Sequence, residues 1–245
     1  MDQLQKILQV KNQTTNSADL YFYGDIVSDW WGAWTESDQY PEAIKNFLNG
    51  QEGKDLNIYI NSGGGSVFAS LAIYNMLKRH TGKKTVTVDG VAASGASVIA
   101  MAGDEIIIPE NAFLMIHRAW VDTTGNAEEL RACADYLERL DEGILAIYKD
   151  NLLDGVNEED IRRMVNAETW LTGAEAAQYF RVSTGKPINA VSCISEQLTQ
   201  YKHTPPQITA TISKEHQSTE IKANDSLDEQ KREQLKRLVL QGLTI

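Results

Sequence analysis

Short hydrophobic strands alternate with helical segments in the first half of the chain, and this alternation restricts the fold more than any other feature. The strand runs are rich in β-branched and aromatic residues, and the segments between them carry apolar residues at helical spacing. Such alternation is typical of a mainly parallel sheet buried between helices, so we predict an α/β fold. The predicted strands are 19–25, 56–61, 85–90, 105–109 and 112–117, and the predicted helices are 40–49, 66–79 and 91–102.

The second half of the chain is predicted to be mainly helical. A long helix is expected over residues 126–150, because Asn126 and Glu129 form a capping pair and apolar residues follow at helical spacing. Its apolar seam indicates burial, either within one subunit or between subunits. Two shorter helices are predicted at 158–165 and 172–179.

Composition divides the 245 residues into four parts. Residues 1–18 are an amino-terminal segment, and residues 19–200 form one domain that is long enough for a substantial core. Residues 201–225 are polar and interrupted by proline, which is typical of a linker. Residues 226–245 are predicted to form an amphipathic helix that either docks on a partner or folds back on its own domain.

The formal net charge is −11, and the acidic excess lies in the 19–200 domain. This charge argues against nucleic acid as a partner. The run of small apolar residues at 91–102 is too short to span a bilayer, and the amino terminus lacks the pattern of a signal peptide. We therefore expect a cytoplasmic protein with no membrane partner.

No cofactor or metal is expected from the sequence. The two cysteines, Cys133 and Cys193, lack metal-ligand spacing. The G-x-x-x-x-G-K-[ST] phosphate loop is absent, which argues against intrinsic ATP hydrolysis.

Three tryptophans lie close together in a polar segment at residues 28–38, at positions Trp30, Trp31 and Trp34. Two interpretations are open. They form either a hydrophobic plug or a contact with another subunit or with substrate.

The chain contains four histidines, of which one stands out as a candidate general base. His203 and His216 fall in the predicted linker, and His80 ends a helix, where the electrostatics of the helix end explain an imidazole. His117 ends the apolar strand 112–117, and the ends of parallel strands are where such folds place their sites. The alternative is a core or strand-end histidine without a catalytic role.

Ser94 is the candidate nucleophile. It lies within residues 90–104, a stretch so rich in glycine, alanine and serine that another backbone can approach closely. If Ser94 occupies a sharp strand-to-helix turn, its hydroxyl is exposed and the helix amino terminus offers N–H groups to an oxyanion. Tight helix packing is the alternative explanation for the small residues.

Three consecutive glycines at residues 63–65 follow a predicted strand and precede a predicted helix. Such a backbone can turn its N–H groups toward a ligand. Together with Ser94 and His117, it completes the requirements of acyl transfer: a nucleophile, a base and backbone donors.

Four blocks of the sequence resemble the Clp protease proteolytic subunit family, in the family's order and near its spacing. They are INSGGGSVFASLAIYNML, GVAASGASVIAMAGD, FLMIH and ETWLTGAEAAQYF. The resemblance extends from about residue 19 to residue 180. It implies the fold shared by Clp proteases and crotonases, and within the family the chain is most similar to the Clp-like peptidases of phages and prophages, whose role is head maturation.

The resemblance implies a role for individual residues. Ser94 stands at the nucleophile position and His117 at the base position, while the N–H groups of Gly65 and Gly95 stand where the family forms its oxyanion hole. Glu168 occupies the position of the third triad member, where the family has aspartate. Asp122 and Asp104 are alternative orienters of the imidazole, and the loop residues expected to contact substrate are Gly63, Gly64 and Ser66.

The chain departs from the family pattern at several places. Gly63 replaces a proline, which loosens the loop without removing a donor, and Gly95 replaces a methionine. The tryptophan-rich segment and the tail from residue 201 have no counterpart in the housekeeping enzymes. The amino-terminal segment that contacts an unfoldase is not recognisable, which argues against dependence on an ATPase partner, although the resemblance by itself implies one.

The resemblance further implies a serine endopeptidase that acts on polypeptides, and the similarity to the phage-encoded members points to capsid or scaffold precursors as its substrates. The subunits are expected to form a homo-oligomeric ring, with helix 126–150 assisting ring-to-ring contacts. Two other functions are considered. One is a crotonase-like acyl-CoA enzyme, which would use a carboxylate base, and the other is a non-catalytic capsid-assembly scaffold.

Overall fold

The strands of the computed structural model form one sheet, which organises the residues described here: 16–33, 37–187, 196–206 and 208. The strands are β1 (Ser17–Phe22), β2 (Asp55–Ser62), β3 (Lys84–Ala93), β4 (Glu105–Pro109), β5 (Phe113–Ile116), β6 (Thr169–Thr172) and β7 (Ser183–Gly185). The helices are α1 (Pro41–Leu48), α2 (Val67–Arg79), α3 (Gly95–Ala100), α4 (Ala127–Lys149), α5 (Glu158–Asn166) and α6 (Gly173–Ala176), with 3₁₀ turns at Trp30–Gly32 and Glu196–Thr199.

The sheet runs in the order β1-β2-β3-β4-β7, and β5 also pairs with β3. All of these pairs are parallel, and β6 alone, among the described strands, runs antiparallel on β5. The predicted α/β fold with a mainly parallel sheet flanked by helices is therefore confirmed. Buried aliphatic side chains from the sheet, from α1 to α3 and from the second half of α4 form one core.

Strand β3 divides its pairing between two neighbours. Thr85–Thr87 pairs with β4, whereas Val91–Ala93 pairs with β5. The prediction that residues 91–93 are helical is wrong, because the helix begins only at Gly95. Small residues fit a buried strand as well as a helix, and it is the pairing with β5 that selects the strand.

The long helix α4 is divided into an exposed half and a buried half. Asn126 and Glu129 form the predicted capping box, which fixes its start. Leu130 and Tyr136 in the first half are exposed, whereas Ile144 and Tyr148 in the second half are buried. Within one subunit, the predicted apolar seam is therefore covered over its second half.

Trp30 and Trp31 are 54% and 59% exposed, and their rings stack with centroids 3.9 Å apart. The hydrophobic-plug interpretation is therefore wrong for these two residues. Asp29 accepts the N–H groups of Trp31 and Gly32 and so holds the exposed pair in place. Trp34 lies outside the described residues.

The chain separates into two units, Met1–Pro205 and Pro206–Ile245. The predicted helix 226–245 and most of the predicted linker 201–225 lie outside the described residues, as does residue range 1–15 of the amino-terminal segment. Among the described helices, none is long and apolar enough to cross a membrane.

Candidate active site

Ser94 lies at the junction of β3 and α3, in a backbone conformation that is unfavourable for serine. Its φ is +52° and its ψ is −123°, and a non-glycine residue held in such a region costs about 1–3 kcal/mol. Neighbouring groups maintain this conformation. The Ser94 N–H donates to the Met115 carbonyl at 3.0 Å, and the Ser97 hydroxyl donates to the Ser94 carbonyl at 2.6 Å. The turn therefore presents the Ser94 side chain at the carboxyl end of β3.

The pairing of two strands brings His117 to Ser94. The second half of β3 runs parallel to β5, with Ala93 beside Met115. The residues that follow the two strands therefore lie at the same edge of the sheet. There Nε2 of His117 lies 2.7 Å from Oγ of Ser94, so the predicted nucleophile and base form a hydrogen-bonded pair.

The glycine loop also reaches this edge of the sheet. Gly64 and Gly65 have φ values of +93° and +142°, which glycine adopts without side-chain strain. Ile26 pairs with the loop by donating to the Gly64 carbonyl and accepting from the Ser66 N–H. This pairing does not involve the N–H of Gly65.

Gly95 and the glycine loop lie so close to their neighbours that a side chain on either would displace an adjacent group. A Cβ on Gly64 would lie 2.5 Å from the Ala93 carbonyl oxygen, and a Cβ on Gly95 would lie 2.1 Å from Ser70 Oγ. The same Cβ position on Gly95 is 3.6 Å from the nitrogen of Gly65. The two predicted oxyanion donors, Gly65 and Gly95, are therefore neighbours.

Two other members of the predicted substrate loop are engaged by groups within the protein. Ser66 Oγ caps α2 by accepting a hydrogen bond from the Ala69 N–H at 3.3 Å. It also lies 3.1 Å from Ser28 Oγ. The Gly63 carbonyl accepts a hydrogen bond from the Tyr201 hydroxyl at 2.6 Å. These contacts hold the loop, and substrate contacts by Gly63, Gly64 and Ser66 stay a prediction.

Glu168 lies near His117, but among the described residues there is no hydrogen bond between the two side chains. Its backbone has φ +52°, and its Oε1 accepts a hydrogen bond from the backbone N–H of His203 at 2.7 Å. Its charge nevertheless reaches His117 and raises the pKa of that imidazole. The structure therefore places Glu168 as an electrostatic neighbour whose carboxylate is held by a backbone group.

The two alternative orienters are not brought to His117. Asp104 pairs with Lys84 at 2.9 Å, at the opposite end of β3 from Ser94. Asp122 is exposed and is not among the charges that affect the pKa of His117.

Asp141 is a residue of the site that the sequence did not indicate. It is a buried acid on α4, and its carboxylate accepts Arg118 Nε at 2.6 Å and the Ala119 N–H at 2.8 Å. These bonds hold the chain immediately after His117. An aspartate that falls at helical spacing on the apolar face of α4 was the signal that could have identified it.

The charge state of His117 follows from its surroundings. Burial lowers its pKa below the ordinary 6.5, while the negative charges of Glu168 and Asp141 raise it and offset part of that effect. The imidazole is therefore neutral at pH 7, and its Nε2 can accept a proton from Ser94.

Two cavities adjoin the Ser94–His117 pair. One of about 20 Å³ reaches Ser94 and Gly95, and it is lined mainly by apolar side chains of α2, α3 and α4. A larger one of about 530 Å³ extends from His117 along residues 118–120, 165–168 and 200–203. The smaller cavity has room for a group about the size of a water molecule or a methyl.

Residues 39–182 match the model of the Clp protease family. This range contains Ser94, His117 and Glu168, and it covers more than half of the chain.

Curated relatives carry the same family name. The chain is 32% identical over 130 residues to an ATP-dependent Clp protease proteolytic subunit of Bacteroides fragilis, covering 52% of this chain and 61% of that protein. It is 34% identical over 137 residues to the protein of that name from Ligilactobacillus salivarius, covering 54% and 68% of the two chains. For Porphyromonas gingivalis the identity is 32% over 131 residues, covering 52% and 57%.

The matches thus span about three fifths of the relatives' length. The matched range contains strands β2 to β6, the glycine loop and the Ser94–His117 pair. This chain therefore belongs to the Clp protease family.

Proposed function

We propose that the chain is a serine endopeptidase that cleaves polypeptides through an acyl-enzyme. The observation that carries this proposal is the 2.7 Å separation of His117 Nε2 and Ser94 Oγ, with Ser94 held in a strained turn. A nucleophile and base within hydrogen-bonding reach, next to paired backbone donors, are the requirements of serine acyl transfer.

In the first half of the reaction, Ser94 Oγ attacks the scissile carbonyl carbon and its proton passes to His117 Nε2. The carbonyl oxygen becomes an oxyanion that the N–H groups of Gly65 and Gly95 stabilise. When this intermediate collapses, the carbon–nitrogen bond breaks and His117 gives its proton to the leaving amine. The product is an ester on Ser94, which water then hydrolyses with His117 as base.

Glu168 and Asp141 stabilise the imidazolium that forms during attack. Their charges act on His117 through space, as their effect on its pKa indicates. Asp141 also holds Arg118 and Ala119, so it restrains the chain that carries the imidazole. The small apolar cavity beside Ser94 supports a substrate with a small side chain at the cleaved position.

The acyl-CoA alternative is less well supported by this site. Crotonase-like chemistry would use a carboxylate as base, whereas the group within hydrogen-bonding reach of the nucleophile here is an imidazole.

A fluorophosphonate probe tests the proposal directly. It is expected to add once per chain, and peptide mapping by mass spectrometry should place the adduct on Ser94. The heat-denatured protein, in which the pair is separated, serves as the control and should remain unmodified. A native protein that takes up no probe, or takes it up at another residue, would contradict the proposal.

The lowered pKa of His117 predicts activity that persists in mildly acidic solution. The base must be neutral, so the labelling rate should reach half of its plateau below pH 6.5. Glu168→Gln removes a charge that raises the pKa of His117, so its half-maximal pH should be lower still. Its plateau should also fall, because the imidazolium loses stabilisation. Labelling rates measured from pH 4.5 to pH 8.5 check both effects, and an upward shift of the midpoint in Glu168→Gln would refute them.

We further propose that the natural substrates are capsid or scaffold precursors, as the similarity to phage-encoded members suggests. Cleavage of such precursors by the parent protein, and none by a variant lacking Ser94, is the expected result. Precursors that remain intact with an active protein would count against this proposal.

Assembly into a ring is supported by the exposed first half of α4. Leu130 and Tyr136 are exposed there, and the exposed Phe68 ring lies 6.3 Å from that of Tyr136. Burying this apolar surface between subunits would be favourable. Native mass spectrometry should show an oligomer for the parent protein and smaller species for Leu130→Glu. A parent protein that is monomeric at micromolar concentration would disprove the assembly.

A further inference from the structure

The chain returns to the active site after the region that matches the family model ends. Residues 196–205 begin with the 3₁₀ turn Glu196–Thr199, and Leu198 within this turn is fully buried. The Thr204 hydroxyl donates to the Leu198 carbonyl at 2.9 Å, which closes this segment into a loop. Tyr201, inside the loop, is only 9% exposed, although it falls in the range 201–225 that is predicted to be a polar linker.

Tyr201 contacts both halves of the proposed catalytic machinery. Its hydroxyl donates to the Gly63 carbonyl at 2.6 Å, at the start of the glycine loop. Its ring packs edge-on against the His117 imidazole, with centroids 5.2 Å apart, and against Trp170 at 6.0 Å. The Tyr201 side chain therefore contacts both the base, His117, and the loop that carries the Gly65 N–H.

The glycine loop needs such a restraint. Gly64 and Gly65 require positive φ, but Gly63 does not, so the flexibility of Gly63 is not needed for the loop conformation. The freedom of Gly63 makes further backbone conformations of the loop accessible, in which the Gly65 N–H would no longer face the oxyanion. The bond from Tyr201 opposes this motion. On the other side, the Ser62 hydroxyl donates to the Gly24 carbonyl at 2.6 Å and accepts from the Gly64 N–H at 3.1 Å.

We infer that Tyr201 is a positioning residue of the active site: its hydroxyl holds the oxyanion loop through Gly63, and its ring fixes one side of His117. This inference rests on the proposed peptidase function. It assigns a role in the reaction to a residue outside the 39–182 range that matches the family.

Tyr201→Phe isolates the hydroxyl, because the ring and its packing are kept. At saturating fluorophosphonate, the labelling rate at Ser94 should fall about tenfold, as expected when one restraining hydrogen bond is lost. The probe concentration for half-maximal rate should be unchanged, because the variant alters stabilisation of the oxyanion and leaves the cavity intact. The pH midpoint should also be unchanged, because the ring still shields His117.

Gly63→Pro supplies the matching rescue. Ser62 is in an extended strand and Gly63 has no positive φ, so neither conformation excludes proline at position 63, where the family pattern has it. In the Tyr201→Phe/Gly63→Pro double variant, labelling should recover to within about threefold of the parent rate, since proline restricts the loop without the hydroxyl. Tyr74→Phe, which alters a buried tyrosine that lines neither cavity beside Ser94, is the control and should label at the parent rate.

Hydrogen–deuterium exchange separates this inference from the proposed function. The peptide covering residues 61–67 should exchange faster in Tyr201→Phe and slow again in the double variant, whether or not the protein cleaves peptides. Unchanged exchange at 61–67, or a labelling rate in Tyr201→Phe equal to that of the parent, would overturn the role of Tyr201. A parent protein that takes no probe on Ser94 would instead refute the peptidase, and the exchange result would still decide whether Tyr201 holds the loop.

Discussion

Replacement of Ser94 by glycine is expected to abolish peptide cleavage and, at the same time, to stabilise the protein. Loss of the nucleophile in a serine peptidase costs about 10⁶-fold in kcat. The backbone strain of a serine at φ +52° is relieved in glycine, which adopts this conformation freely. After the greater entropy of glycine in the unfolded chain is subtracted, a net gain of about 1 kcal/mol in the free energy of unfolding remains.

Ser94→Ala separates these two effects. It removes the same hydroxyl but keeps a Cβ at positive φ, so it should be as inactive as Ser94→Gly without the gain in stability. Cleavage of a casein substrate and thermal unfolding measure the two quantities. Ser183→Ala, on the distant strand β7, should retain the parent rate of cleavage. Residual cleavage within tenfold of the parent in either Ser94 variant would show that Ser94 is not the nucleophile.

Replacement of His117 by alanine is expected to lower cleavage about as much as loss of Ser94. Without the imidazole, the serine hydroxyl loses its hydrogen-bond partner His117, and the described residues place no other base within hydrogen-bonding reach. Groups that act as a unit are strongly non-additive. The Ser94→Ala/His117→Ala double variant should therefore be no less active than either single variant.

His80 provides a matched control. It is the residue that follows α2, and its Nε2 lies 2.7 Å from the Lys54 carbonyl oxygen. His80→Ala removes a partly buried histidine at the other end of α2 from the glycine loop and should retain the parent rate. If the effects of the Ser94 and His117 substitutions multiplied in the double variant, the two residues would be acting independently, and the proposed pair would be wrong.

The mainly parallel sheet was predictable because its signals are local. Apolar β-branched runs specify strands such as β2 and β4, and helical spacing specifies α2 and α4. The capping box of Asn126 and Glu129 also depends on residues three apart. Such patterns need no knowledge of the rest of the fold.

The errors arose where neighbouring elements decide the outcome. Residues 91–93 are small enough for helix or strand, and their pairing with β5 selects the strand. Strands β6 and β7 have four and three residues, too few for a periodic pattern. A hydrophobic plug was one of two interpretations of Trp30 and Trp31, but both are exposed, and Asp29 accepts the N–H groups of Trp31 and Gly32 there.

The sequence by itself determined the fold class, the family and the candidates Ser94 and His117, because each rests on patterns within short stretches of the chain. Only the tertiary structure decided which of these groups meet. Ser94 and His117 are 23 residues apart, and Gly63 and Tyr201 are 138 apart. Contacts at such separations depend on strand order and on where the chain returns, which no local pattern encodes. For the same reason Asp141 and Tyr201 emerged as neighbours of the Ser94–His117 pair only in the folded protein.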